Sequence, residues 1–344
     1  MSAGASTPGG AAARVRPDGH PVVAVTVAGS DPSGGAGIQA DLKTFAALGG
    51  YGCAVLTGLT AQSTVGVTRV MPVPADMVTA QLETLLADVA VDAVKIGMLS
   101  DAAVAAAVAD VLEALRAANR RDRRPGPAVV LDPVMVATSG DRLLEPAAED
   151  VVRERLLPLA DLVTPNLPEA AALLGADAAH DASEAADQAR ALLRLGAGTS
   201  TSTVSGGPRW ALVKGGHLVT GGRPGAEGHP GRAQDGEAAV DHLAGPGDGE
   251  PAVVTLSSPR VSTRNTHGTG CTLSSACAVL RPLHDGWPAT VRAAKDYLTQ
   301  ALVAGDRLVV GGTGLDSGRA PWTGHGPVDH GFAQRPAARP EPAP

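Results

Sequence analysis

Short runs of β-branched residues alternate with longer Ala- and Leu-rich stretches along most of this chain. Val22–Ala28 is a short apolar run ending in glycine and serine, which predicts a buried strand feeding a loop. Ile38–Leu48 then takes helical spacing, stopped by Gly49 and Gly50. The rhythm repeats: Cys53–Thr57 as strand, Ala75–Ala87 as helix, Ala93–Ile96 as strand, Asp101–Ala118 as helix. Ala128–Leu131, Asp161–Val163 and Trp210–Val213 read as further strands, and Pro146–Leu156 and Glu184–Leu195 as helices. Helical spacing returns at Gly268–Val279 and Ala289–Leu308. Strands separated by helices of this length predict βαβ units, hence an α/β fold with a mainly parallel sheet and helices on both faces.

The rhythm breaks in three places. Residues 1–20 are Gly, Ala, Ser and Pro in loose order, and the stretch from about Gly331 to 344 is Pro- and Ala-rich. Both ends predict disordered tails around a single domain over 21–330. Leu218–Pro251, rich in Gly, Pro, Asp and Glu, predicts a long surface insertion with a β-hairpin around Ala238–Leu243.

Composition narrows the function. Of 344 residues, 44% are hydrophobic and only 2% aromatic, so the core is built from Ala, Val and Leu. The net charge is −7, and the longest basic cluster, Arg120 to Arg124, falls in a helix–strand connection. With no basic face or aromatic platform, a nucleic-acid role is disfavoured. Three irregularly spaced cysteines argue against a disulfide framework or a structural zinc site. No apolar run approaches the roughly 20 residues of a membrane span, and the N-terminus lacks the parts of a signal peptide. A reducing, cytoplasmic setting is the expectation.

Candidate chemistry falls in successive loops after strands, where open parallel sheets bind ligands. Gly29-Ser30-Asp31-Pro32-Ser33-Gly34-Gly35-Ala36-Gly37 follows the first strand and opens a helix; it matches neither the dinucleotide fingerprint nor a Walker loop. His267-Gly268-Thr269-Gly270-Cys271-Thr272 stands directly before an Ala-rich helix, whose free N–H groups and dipole favour an anion such as a phosphoryl group in flight. Cys271 at that positive end is expected to have a lowered thiol pKa; a small buried cysteine in a helix cap is the plainer alternative. Asp132 closes a strand before Pro133, pointing its carboxylate off the sheet's end. Asn166 and Glu169 share one side of a helix's first turn, a spacing suited to hydrated Mg²⁺ near phosphates and equally to a capping box. Lys214-Gly215-Gly216-His217 offers a cation beside flexible backbone, which suits a nucleotide phosphate or an ordinary surface turn.

The run Ala28-Gly29-Ser30-Asp31-Pro32-Ser33-Gly34-Gly35-Ala36-Gly37-Ile38-Gln39-Ala40-Asp41-Leu42-Lys43-Thr44 resembles the opening motif of hydroxymethylpyrimidine/phosphomethylpyrimidine kinases. So do Lys95 to Leu99, Asp132-Pro133-Val134-Met135, Ser139-Gly140, Thr164 to Ala170, Lys214 to His217 and Asn265 to Ser274, in order from about Val22 to Leu308. The resemblance implies a ribokinase-like three-layer α/β/α sandwich, a homodimer, and use of ATP with Mg²⁺. It implies phosphorylation of 4-amino-5-hydroxymethyl-2-methylpyrimidine and then of its monophosphate, in thiamine biosynthesis. Carried over residue by residue, it implies a pyrimidine pocket of Gly29, Asp41, Gln62, Met98 and Val134. It further implies an anion hole of Gly268, Thr269 and Gly270 beside a catalytic Cys271, nucleotide contacts from Lys214, Asn166 and Thr266, and metal organisation by Asp132 and Glu169. The amide of Gln62 can donate to a ring nitrogen and accept from an exocyclic amine.

Three features depart from the family pattern: the long 218–251 insertion, Thr138 where some members have lysine, and a Gly-rich stretch around Gly311–Arg319 before the family-like ending Gly324 to His330. A pyridoxal or pyridoxine kinase is the neighbouring reading, and a non-catalytic ligand-binding regulator on the same scaffold the reading from another class.

Overall fold

The computed structural model describes residues 15–135, 145–195, 208–216, 238–311 and 324–335. Ser139-Gly140, Thr138, His217 and most of the expected insertion and tails lie outside the described residues. The first strand, β1 (Val23–Ala28), leads into α1 (Gly37–Ala47), and β2 (Tyr51–Leu56) follows. A two-stranded antiparallel hairpin comes next, β3 (Gly58–Gln62) and β4 (Val67–Pro72). The chain continues through α2 (Ala75–Asp88), β5 (Ala93–Ile96), α3 (Ala102–Asp122), β6 (Ala128–Leu131) and α4 (Pro146–Val151). Then come β7 (Leu162–Val163), α5 (Leu167–Leu174), α6 (Ala182–Arg194), β8 (Trp210–Lys214), β9 (Ala238–Gly245) and β10 (Ala252–Pro259), and finally α7 (Thr269–Leu280) and α8 (Trp287–Gly305).

The central sheet runs β10-β9-β8-β7-β6-β5-β1-β2, parallel from β8 to β2 and antiparallel at β8–β9–β10. Strand alternation sorts side chains between two cores. Val25, Val27, Val94, Ile96, Val129 and Leu131 face α2 to α6. Ala24, Ala93, Val130, Leu162 and Leu212 face α1, α7 and α8. Because β1, β5 and β6 are buried on both faces, they read as near-continuous apolar runs, interrupted by Thr26 in β1 and Lys95 in β5. The expected three-layer α/β/α architecture is present.

Differences from the expectation have local causes. The hairpin expected near Ala238–Leu243 is larger: β9 pairs with β10 and also with β8, extending the main sheet rather than lying on the surface. The helix expected over Pro146–Leu156 is α-helical only to Val151 and widens into a π-turn over Val152–Leu156. Residues 15–20, expected in a disordered tail, form a turn in which Arg16 pairs with Asp92 at 2.6 Å. Beyond Gly331, Phe332 stacks near Tyr297 with ring centroids 5.7 Å apart, and Arg335 pairs with Asp329 at 2.9 Å. Hairpin β3–β4 was not anticipated, because its second strand is almost wholly exposed and carries no amphipathic signal. Among the described residues no helix is long and apolar enough to cross a membrane.

Candidate active site

The site is built at the carboxyl ends of the parallel strands, where loops after β1, β5, β6, β7 and β8 meet the N-terminus of α7. Helix α7 begins at Gly268, which caps it in a left-handed conformation (φ 79°). That conformation favours glycine, and crowding demands it: a Cβ there would lie 1.8 Å from the Gly35 carbonyl oxygen. The two glycine loops are thus in backbone contact. Asp31 holds them together. Its carboxylate accepts from the backbone N–H of Ser33, Gly35 and Ala36 and from the Ser33 hydroxyl, and it meets His267 Nε2 at 2.8 Å. Burial works against this charge, but His267, the Ser33 hydroxyl and the Ala36 N–H together hold the Asp31 carboxyl down to about 2.

The first turn of α7 leaves N–H groups without intrahelical acceptors, and it faces a buried charge cluster. Lys214 Nζ donates to Asp132 Oδ1 at 2.9 Å and lies 3.9 Å from Glu169 Oε2. Asp132 also accepts from Thr164 Oγ1 at 2.9 Å and from Ser274 Oγ at 3.2 Å. A Cβ on Gly270 would stand 3.2 Å from Lys214 Nζ and 3.7 Å from Asp132 Oδ2, so the glycine loop and the cluster share one space. Asn166 and Glu169 form a full capping box on α5: Asn166 Oδ1 accepts from the Glu169 N–H at 2.8 Å, and Glu169 Oε2 from the Asn166 N–H at 2.7 Å. The capping reading is realised, and it brings Glu169 against Lys214 at the same time.

Cys271 is half-buried in the first turn of α7. The expected lowering of its pKa is reversed. Burial first, then the carboxylates of Asp41 and Asp132, push the thiol up to about 11 against the opposing Lys95 ammonium. Helix-end electrostatics are outweighed by desolvation and two nearby anions. Asp41, expected to line the pyrimidine pocket, is fully buried. It accepts from Lys95 Nζ at 2.8 Å, Thr26 Oγ1 at 2.6 Å and Ser275 Oγ at 2.6 Å, so its oxygens are engaged by the protein. Lys95 is itself fully buried, and its ammonium is held charged by Asp41 against the burial penalty.

Of the remaining expected pocket residues, Gly29 and Met98 are brought together: a Cβ on Gly29 would lie 2.5 Å from Met98 Cε. Gln62 ends β3, half-buried, with its amide oxygen accepting from Thr60 Oγ1 at 3.2 Å. Val134 lines a small apolar niche with Gly97, Leu99, Leu131, Pro133 and Val152. Thr266 sits at the rim, 3.2 Å from His325 Nδ1. The sequence reading gave no role to Lys95, His267 or Asp31, although a lysine inside an apolar strand is a signal that a buried partner exists.

A metal can be tested against this arrangement. Asp132 and Glu169 are two buried carboxylates facing the ammonium of Lys214, and burial with Asp132 nearby pushes Glu169 up to about 7. A second cation is therefore favoured, and one or two carboxylates plus phosphate oxygens are the ligand set of Mg²⁺. The residues fit it. Among the described residues no group of three or more His, Cys, Asp or Glu forms a self-sufficient metal cage.

Phosphoryl transfer needs positioning and charge stabilisation more than covalent chemistry, and this sheet edge prepares both; with its sheet order, it places the protein among ribokinase-like small-molecule kinases. Comparisons with known proteins agree. The family model described as phosphomethylpyrimidine kinase matches residues 31–315. The hydroxymethylpyrimidine/phosphomethylpyrimidine kinase of Escherichia coli K12 is 46% identical over 307 residues, covering 89% of this chain and 96% of that protein. The crystal structure of phosphomethylpyrimidine kinase from Clostridium difficile 630 superposes with TM-score 0.61 at 35% identity, covering 82% of this chain and 99% of that one. Pyridoxal kinase from Staphylococcus aureus in complex with ADP superposes with TM-score 0.66 at 28% identity, over 92% and 96%. The chain belongs to the phosphomethylpyrimidine kinase family and is a kinase.

Proposed function

We propose that this enzyme phosphorylates 4-amino-5-hydroxymethyl-2-methylpyrimidine with ATP and then phosphorylates the monophosphate, in thiamine biosynthesis. The observation that carries the reading is the shared space at the α7 N-terminus, where the Gly268–Gly270 loop meets Lys214 and Asp132 beside the Gly29–Met98 contact. In this reading Gly268, Thr269 and Gly270 present backbone N–H groups to the transferring phosphoryl group. Lys214 faces the ATP phosphates, with Asn166 and Thr266 at the nucleotide side. Asp132 and Glu169 would hold Mg²⁺, directly or through water; the ion would neutralise charge on the phosphate oxygens. Gly29, Gln62, Met98 and Val134 line the flat heterocycle's pocket, and Asp41 supports it from behind through Lys95.

The acceptor hydroxyl attacks the γ-phosphorus, the bond to the β–γ bridging oxygen breaks, and ADP leaves. Such a transition state is loose, so the hydroxyl proton need leave only late, to an oxygen of the transferred phosphoryl group or to solvent. A neutral Cys271 thiol then serves to hold the hydroxyl in line. The exposed apolar side chains of Leu59, Val65, Val70 and Met71 on hairpin β3–β4 support a homodimer formed through that hairpin. Three free thiols support a reducing, cytoplasmic setting.

The test is ATP turnover by the purified protein with the hydroxymethylpyrimidine and with pyridoxal, products read by mass. Mono- and diphosphorylated pyrimidine is the expected result. Pyridoxal phosphate alone moves the substrate to the neighbouring vitamin, and ATP binding without turnover of either supports the regulator reading instead.

A further inference from the structure

Partly buried Lys214 shares its face of the sheet with a second, buried cation. Strands β8 and β9 pair antiparallel with Lys214 directly opposite Asp241. Opposite residues share a face, with Cβ atoms about 5 Å apart. A lysine and a carboxylate in that relation would ordinarily pair with each other. They do not here: Lys214 reaches the other way, to Asp132 at 2.9 Å. Asp241 is taken instead by Lys295 of α8, whose ammonium bonds its Oδ2, while its Oδ1 accepts from the Gly215 N–H at 3.0 Å. Asp241 is 5% exposed and Lys295 7%, so neither charge has water as an alternative partner.

We propose that Lys295 is a positioning residue for the phosphate-facing lysine: by occupying Asp241, the competing anion, Lys295 leaves Lys214 free to point at Asp132, Glu169 and the nucleotide. The inference rests on the reading that Lys214 faces the ATP phosphates. Lys214 has two carboxylate directions open to it, one into the site and one across the strand pair. Without the Lys295 ammonium, Asp241 becomes a buried, uncompensated anion within reach of the Lys214 side chain. Such an anion draws the nearest cation strongly, and the cation it draws is the one the nucleotide needs. A pair that only braced α8 against β9 would not distinguish ATP from the acceptor.

The experiment is steady-state kinetics of Lys295→Met, Asp241→Asn, the double variant and Lys214→Met, with KM for ATP and for the pyrimidine measured separately. Loss of a lysine–phosphate contact raises KM for ATP about tenfold or more. Lys295→Met is expected to show that rise with the pyrimidine KM unchanged, and Asp241→Asn in the same background to restore ATP KM to within about threefold. Should Lys295→Met not fold, Lys295→Gln carries the test: it removes the ammonium, keeps a donor for Asp241, and is expected to show the same rise of about tenfold in ATP KM. Unchanged ATP KM in the Lys295 variant that folds, no recovery when Asp241→Asn is added to it, or a rise of about tenfold in Asp241→Asn alone overturns the inference. Lys214→Met separates the two levels. Unchanged ATP KM there removes the nucleotide reading itself, whereas an impaired Lys214→Met beside an unimpaired Lys295→Met removes only the role of the pair.

Discussion

Replacing Gly268 by alanine should uncouple the two glycine loops and abolish most turnover. The added Cβ would stand 1.8 Å from the Gly35 carbonyl oxygen and 2.8 Å from its carbonyl carbon, where real Cβ contacts essentially never fall below 3.0 Å. The loops must therefore part by more than about 1 Å. Gly35 cannot give way easily: Asp31 holds its N–H and that of Ala36, and a Cβ on Gly35 would itself lie 2.2 Å from the His267 ring. Left-handed backbone adds about 1–2 kcal/mol for alanine, and overpacking about 1–3 kcal/mol, so stability should fall by roughly 2–5 kcal/mol.

The catalytic loss is of a different kind. Donors at a developing charge lose about 10²- to 10³-fold in rate when misplaced or removed, and an ångström of displacement has the same scale of effect. The assay is kcat at saturating MgATP and pyrimidine, with thermal melting run in parallel. Gly175→Ala is the control. Gly175 has φ +63° with nothing within 4 Å of its would-be Cβ, so it carries left-handed strain without a clash. It should lose about 1 kcal/mol and keep its kcat. A Gly268→Ala enzyme with kcat within about threefold of the parent would refute the argument that this loop contact aims the anion hole.

Four further outcomes follow from Glu169, Lys95 and Cys271. Burial raises Glu169 from an ordinary value of 4.5 to about 7, so the folded state keeps a proton that the unfolded chain has lost between those values. Its contribution to stability is complete below about 4.5 and is lost as pH rises through about 7; Glu169→Gln should therefore gain melting temperature at pH 8 relative to pH 5, while raising KM for MgATP, and equal shifts at both pH values would contradict this. Lys95→Met strands the fully buried Asp41 and should cost about 3–5 kcal/mol, largely recovered by adding Asp41→Asn, as read by denaturant unfolding. With its thiol pushed up to about 11, Cys271 should be alkylated more slowly at pH 8 than an exposed cysteine, whose pKa is about 8.5. Cys271→Ala should lose turnover yet bind ADP as before; near-normal turnover would remove Cys271 from catalysis.

How far the sequence reveals this molecule depends on the range of the forces involved. Strands β1, β5 and β6 are legible because burial on both faces makes nearly their whole length apolar, Thr26 and Lys95 apart. The Asn166–Glu169 box is legible because its geometry spans one helical turn. Hairpin β3–β4 is not, because five of the six β4 residues are exposed and its signal is pairing rather than patterning. Strand β10 is missed for the same reason, since Ala252–Pro259 gains its place by pairing with β9. The site's loops announce themselves by glycine, but what holds them does not. Asp31 and His267 are 236 positions apart, Lys95 and Asp41 54, and Lys295 and Asp241 54. No local pattern links a buried charge to its partner at such distances. The misreading of Cys271 has the same root: a helix N-terminus is visible in sequence, whereas the anions beside it come from α1 and the end of β6.

That misreading bears on how catalysis is organised. Lys95, Lys214 and Lys295 each pair with an aspartate on the α7–α8 face, and such pairs are weak sources of stability because desolvation offsets their attraction. Their arrangement is better understood through what each leaves available. Burial raises the Cys271 thiol and Asp41 and Asp132 raise it further, opposed by the Lys95 ammonium and by a hydrogen bond with the Gly37 backbone. An enzyme built to prepare a thiolate would place its cation against sulfur and its anions elsewhere. Here the cations are paired with carboxylates, and the thiol stays neutral at the start of α7, where the proposed function has the phosphoryl group pass. A neutral group there adds no negative charge to repel an anionic phosphate, while a loose transition state asks little of a base. The charge pattern therefore favours a site that draws the phosphate in and aligns the acceptor, over one that ionises the acceptor before transfer begins.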